Sequence, residues 1–325
     1  MLPVSRNIRT HAHLFKASAI VCAAALGLPL YGCGIVYYAG MPLVYDKAAS
    51  DSVTEYADEV YFDGPDGADD KTRLDLFFPD GEGWPLVVFA HGGGWTEGDK
   101  NLRVGGKDVY RNIGRYLAAN GVGAAVINYR LIPGVHWRTQ MTDVAHAAVY
   151  ARRRAGEIGG NPARLFVAGH SAGAHLVSRI ALDRQILEAA GSRDGIICGV
   201  IAVAGAGYDM EDQQTYLLGA EFGYLERRFG RVDGGESWPR EASVVQFIDG
   251  DAPPFLVMHG DREYPSLVRQ SDLLVERLEE SGVPVDKLVV DGFNHTRMVL
   301  AMSRDDRMAG PAMVDFAKTT PCGTR

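Results

Sequence analysis

Hydrophobic and polar positions change period repeatedly along this chain, and from about residue 53 the changes follow a regular order. VTEYADEVYF (53–62) and TRLDLFFP (72–79) alternate well enough for two opening strands, joined by the turn GPDGADD. PLVVFA (85–90) is a continuous apolar run that ends in glycines, as a strand buried on both faces would be. GAAVINY (123–129), RLFVA (164–168), IICGVIAVAG (196–205), PFLVM (254–258) and VDKLVV (285–290) read as further strands. Between them lie helical patterns. DVYRNIGRYLAANG (108–121) stops at Gly121, and AGAHLVSRIALDRQ follows the strand RLFVA. In RTQMTDVAHAAVYARRRAGEIGG (138–160), Met141, Val144, Ala145, Ala148 and Val149 fall on one helical face. The Arg152–Arg154 run there complements the negative end of the helix. SLVRQSDLLVERLEESG (266–282) has Pro265 at its start and Gly282 at its end. Residues 206–250 break the rhythm, with YLLGAEFGYLERRFG helical between acidic loops, and read as a short cap-like insertion. Alternating strands and helices predict an α/β protein: a mostly parallel central sheet with helices on both faces. No repeat or linker divides residues 46–325, which read as one catalytic domain.

The first 45 residues differ from the rest. MLPVSRNIRTHAHLFK carries Arg6, Arg9 and Lys16 and no acid, and ASAIVCAAALGLPL follows as an apolar run. A basic segment, a short apolar segment and small residues predict a secretory signal. LYGC, ending at Cys33, resembles the lipobox of bacterial lipoproteins, with Tyr31 an unusual occupant, so Cys33 is a candidate lipidation site. An uncleaved anchor fits as well, since no charge occurs from Ala17 to Tyr45. Each version attaches the body to a membrane or exports it, to the periplasm or a membrane surface. Net charge is −8, and an acidic balance argues against a nucleic-acid partner. Export permits a Cys198–Cys322 disulfide, although Cys198 in the apolar run IICGVIAV reads more naturally as a buried core thiol. No CxxC and no His/Cys cluster with metal spacing occurs, so neither metal nor organic cofactor is implied.

Two short motifs carry chemistry. GHSAG (169–173) is a G-x-S-x-G between a strand and a helix. A serine on so sharp a turn needs glycine on both sides, and the turn would lift the Ser171 hydroxyl out of the sheet with the Ala172 N–H beside it. HGGGW (91–95) follows the third strand. Its glycines let successive N–H groups of Gly93 and Gly94 point into one hollow, an oxyanion hole completed by Ala172. Trp95, Tyr129 and Tyr208 follow strand ends on the same rim and are candidates to line an acyl pocket. Asp99 and Lys100 are expected to pair and order the loop after HGGGW.

GHSAG with HGGGW, in this order and spacing, resembles the α/β-hydrolase serine esterases of the hormone-sensitive-lipase and arylformamidase-like groups. HGGGWTEGDK, NYRL, NPARLFVAGHSAGAHL, DAPPFLVMHG and FNH look like blocks of that family, over about residues 70–300. The resemblance implies a triad in the chain order serine, acid, histidine. Of nine histidines, His295 alone follows the last strand, and it becomes the general base. His91 and His170 lie inside the motifs and read as structural. The acid belongs on the turn after PFLVM. A carboxylate three residues beyond Gly260, six before Arg269 and seven before Gln270, is Glu263, although most relatives carry Asp and Asp261 stands close enough to substitute.

These readings converge on a serine hydrolase that cleaves small to medium carboxylic esters, a small-molecule substrate, through an acyl-enzyme. An aryl-formamide hydrolase is the runner-up, suggested by Arg269–Gln270. A surface binding lipoprotein with dead chemistry is the alternative from another class.

Overall fold

The computed structural model describes residues 45–49, 51–64, 69–192, 197–219, 222–230 and 237–323. The leader, Cys33 included, lies outside them apart from Tyr45. Among the described residues no helix is long and apolar enough to cross a membrane.

Eight strands form the central sheet: β1 (Val53–Val60), β2 (Arg73–Pro79), β3 (Leu86–Ala90), β4 (Gly123–Ile127), β5 (Leu165–His170), β6 (Gly199–Val203), β7 (Phe255–Gly260) and β8 (Val285–Val290). Their spatial order is β1-β2-β4-β3-β5-β6-β7-β8. β1 and β2 pair antiparallel, as do β2 and β4, and every later neighbour is parallel. The continuous apolar runs are the central strands, each fully buried because helices cover both faces.

Strand alternation sorts the core into two halves. Leu86, Val88, Leu165 and Val167 face one layer, with α2 (Trp137–Glu157), α3 (Ala172–Leu182) and α4 (Pro265–Glu280). Val87, Phe89, Phe166 and Ala168 face the other, with α1 (Val109–Ala119) and α5 (Ala309–Thr319). Helix α5 has no counterpart among the predicted elements. Its C-terminal carbonyls at Ala317, Lys318 and Thr320 accept from the Arg164 guanidinium at the foot of β5.

Three expectations change here. Cys198 is buried, as the apolar run suggested, but it is bonded to Cys322 rather than free, because α5 returns the chain to the start of β6. Asp99 and Lys100 do not pair. Asp99 meets Lys71 at 2.6 Å, while the buried Lys100 ammonium turns inward to Asp58 (2.5 Å) and Asp75 (2.7 Å). In the turn after HGGGW the two side chains reach different partners, which adjacency in sequence does not foretell. The Arg152–Arg154 run is also more engaged than a dipole argument implied: Arg154 bonds Glu59 of β1 and Glu157.

Candidate active site

Ser171 stands where β5 ends and α3 begins, with φ 54° and ψ −120°. Such a conformation is strained for a residue with a Cβ, and the surroundings impose it. A Cβ on Gly169 would lie 2.4 Å from the Gly173 carbonyl, and one on Gly173 would lie 2.2 Å from the Ala90 carbonyl oxygen. Both glycines of G-x-S-x-G are therefore required by backbone contact. The Ser171 N–H is tied to the Val203 carbonyl of β6 at 2.9 Å.

His295 comes from the loop after β8. Its Nε2 lies 3.1 Å from Ser171 Oγ. Its Nδ1 lies 3.1 Å from Oε1 and 3.2 Å from Oε2 of Glu263. The Glu263 side chain is fully buried, and its Oε1 also accepts from the Tyr264 N–H at 2.8 Å. Asp261 is elsewhere: its Oδ1 accepts from the Phe293 N–H at 3.1 Å, stitching the β7 turn to the loop that carries His295. A second histidine supports the first. His170 Nε2 donates to the His295 carbonyl at 3.0 Å, and burial, with the neighbouring imidazole, lowers the His170 pKa to about 3. No sequence signal marks that contact, because the two residues are 125 positions apart.

The glycine loop passes directly over the serine. A Cβ on Gly92 would lie 3.2 Å from the Ser171 Cβ. Gly93 and Gly94 take φ of 128° and 55°, backbone that glycine adopts at little cost. The Gly93 carbonyl accepts from the N–H groups of Thr96 (3.2 Å) and Glu97 (3.0 Å), which fixes the peptide that bears the Gly94 N–H. Among the described residues no acceptor engages the N–H of Gly93, Gly94 or Ala172. Beneath the loop, His91 donates to the Gly92 carbonyl at 2.7 Å and stacks on Tyr129. Burial lowers the His91 pKa to about 4, so the ring is a neutral prop.

A cavity of about 510 Å³ opens beside Ser171. Trp95 lines it, as the sequence suggested. Tyr129 and Tyr208 do not. Both are fully buried: the Tyr129 hydroxyl donates to the His91 carbonyl at 2.9 Å, and the Tyr208 ring fills the space above Gly205. Each follows a strand end, but its side chain turns toward the core layer rather than the mouth. The lining residues that sequence reasoning missed come from the insertion and from the start of α4, among them Asp209, Tyr216, Leu218, Tyr264 and Gln270. The Gln270 amide accepts from the Asp209 N–H and donates to its carbonyl, both at 2.8 Å, and Arg269 binds Asp212 through two bonds of 2.6 and 2.7 Å. The Arg-Gln pair thus straps the insertion to α4.

The strand order, a strained serine on the β5 turn, a histidine after β8 and an acid after β7 define an α/β-hydrolase fold with a serine-centred site. A family model, BD-FAE, matches residues 74–278, and the chain belongs to that family. It is 33% identical over 218 residues to esterase LipC of Mycobacterium tuberculosis (strain ATCC 25618 / H37Rv), covering 65% of this chain and 52% of that one. It is 26% identical over 253 residues to the isoprenylcysteine alpha-carbonyl methylesterase ICME of Arabidopsis thaliana, covering 74% of this chain and 56% of that one. The chain spans about half the length of the curated relatives it matches. Among solved structures, esterase B from Lactobacillus rhamnosis superposes with a TM-score of 0.70 at 21% identity, covering 89% of this chain and 90% of that one. A truncated carbohydrate esterase from gut microbiota gives 0.68 at 20%, covering 85% and 99%. At these identities the structural likeness speaks for the fold.

Proposed function

We propose that the protein is a serine hydrolase of small to medium carboxylic esters that works through an acyl-enzyme. The observation that carries this reading is the continuous relay from Ser171 Oγ to His295 Nε2 (3.1 Å) and from His295 Nδ1 to the buried Glu263 carboxylate (3.1 Å), at the wall of an open cavity. Ser171 attacks the ester carbonyl while His295 takes its proton. The N–H groups of Gly93, Gly94 and Ala172 receive the oxyanion, a contribution for which one donor is typically worth about 10²–10³ in rate. His295 then protonates the departing alkoxide, water repeats the sequence in reverse, and Glu263 holds the imidazole tautomer and stabilises the imidazolium. The relatives, an esterase and a methylesterase among them, support this class.

A fluorophosphonate applied to the purified body tests the reading. Stoichiometric adduct on Ser171, lost in Ser171→Ala, with turnover of short p-nitrophenyl esters, is the expected result. A folded protein that takes no adduct overturns it and favours a binding role.

Export with attachment to a membrane is part of the same proposal, supported by the basic and apolar leader and compatible with the Cys198–Cys322 disulfide. Intact mass of the protein isolated from membranes distinguishes lipidated Cys33, cleavage without lipid and an uncleaved anchor. Recovery of the unprocessed chain from the cytosol overturns export.

A further inference from the structure

The cavity beside Ser171 is lined largely by apolar and aromatic side chains, yet it holds one formal charge. Among the described residues that line it, Asp209 alone carries an acidic or basic side chain. Gln270 holds the backbone of that residue from both sides at 2.8 Å. One carboxylate oxygen accepts from the Glu211 N–H at 2.9 Å. Among the described residues no cation bonds the group directly: the Arg269 guanidinium is bonded to Asp212 at 2.6 and 2.7 Å and acts on Asp209 only through space. Trp95, Tyr216 and Tyr264 line the same cavity.

A pure hydrocarbon chain filling this space would strip water from a carboxylate and return nothing. A ligand with a positive charge would return an ion pair and could lie against aromatic rings as well. We propose that Asp209 makes this a cation-accepting subsite, so that the preferred substrates are esters whose part remote from the carbonyl carries an ammonium group. The proposal rests on the ester-hydrolase reading above and names its substrate class.

Butyrylcholine and 3,3-dimethylbutyl butyrate have nearly the same shape, with N⁺ in one where the other has carbon. The wild-type protein is expected to favour the cationic ester in kcat/KM by about tenfold. The preference should shrink as sodium chloride is raised, and Asp209→Asn should bring the ratio of the two esters close to one. A wild-type ratio at or below one overturns the proposal, as does a ratio that Asp209→Asn leaves unchanged. Calorimetric binding of both esters to Ser171→Ala keeps the test independent of turnover. There, tighter binding of the cationic ester that disappears in Ser171→Ala/Asp209→Asn supports the subsite, and equal binding overturns it. Failure of the hydrolase reading shows separately, as the missing fluorophosphonate adduct on Ser171.

Discussion

Two carboxylates stand two positions apart on the turn after β7, and their duties separate cleanly. Glu263 faces the imidazole of His295, whereas Asp261 accepts a backbone N–H from the loop that carries His295. Glu263→Gln keeps the shape but removes the charge, and is expected to lower kcat by about 10²–10⁴ with little change in melting temperature. Asp261→Ala is expected to cost about 1 kcal/mol of stability in urea titration while retaining most of kcat below the transition. The opposite pattern would assign Asp261 to the relay. Much at this scale was legible in sequence, because the chain itself enforces the local geometry. Gly169 must be glycine for contacts with Gly173 and Ala174 a few residues on, so GHSAG announced its turn, whereas Gly173 is required by the distant Ala90 carbonyl. Tyr129 and Tyr208 were misread for the complementary reason: a strand-end position does not say which layer a side chain enters, and both went into the core.

Among elements, Gln270 is one of the ties between the insertion and α4. Gln270 satisfies Asp209 at both backbone atoms and also donates to Thr215 Oγ1 at 2.9 Å. Gln270→Ala leaves those buried groups unmatched, with an expected cost of about 1–3 kcal/mol. Since the segment walls the cavity and not the relay, KM for an ester should rise more than kcat falls, which steady-state kinetics will show. The strands and long helices were readable from periodicity, for Leu86, Val88 and Ala90 meet one layer while Val87 and Phe89 meet the other. Helix α5 was not. AGPAMVDFAKT opens with Gly and Pro near its start, offers few periodic positions, and is held instead by Phe316 against Phe166 and by Arg164 at its end. The Cys198–Cys322 pairing depends on where α5 ends, so the sequence offered it as a permitted pair but favoured a buried thiol.

For the molecule as a whole, acid sensitivity follows from neutral histidines in the interior. Burial lowers His91 and His175 to about 4 and His170 to about 3, against an ordinary value of 6.5. The unfolded chain therefore binds more protons than the folded one between about pH 6.5 and 4. Stability should be at its plateau above pH 6.5 and fall as pH drops through that window, with the midpoint of urea unfolding as the measure. A midpoint that is flat from pH 7.5 to 5 would show that these rings are protonated in place. The family and fold are plain at this scale, whereas the wall of the cavity depends on contacts such as Asp209 to Gln270, which join residues 61 positions apart.

The disulfide also has a use at the bench. Cys198 precedes β6 and its N–H bonds the Leu165 carbonyl at the foot of β5, so Cys322 is fastened at the strand-start side of the sheet, remote from Ser171 at the strand ends. A bead, an electrode or a dye coupled just past that position would stand behind the molecule and leave its mouth open to solution. The same label placed at the exposed Leu217, on the insertion beside the mouth, would stand in the doorway.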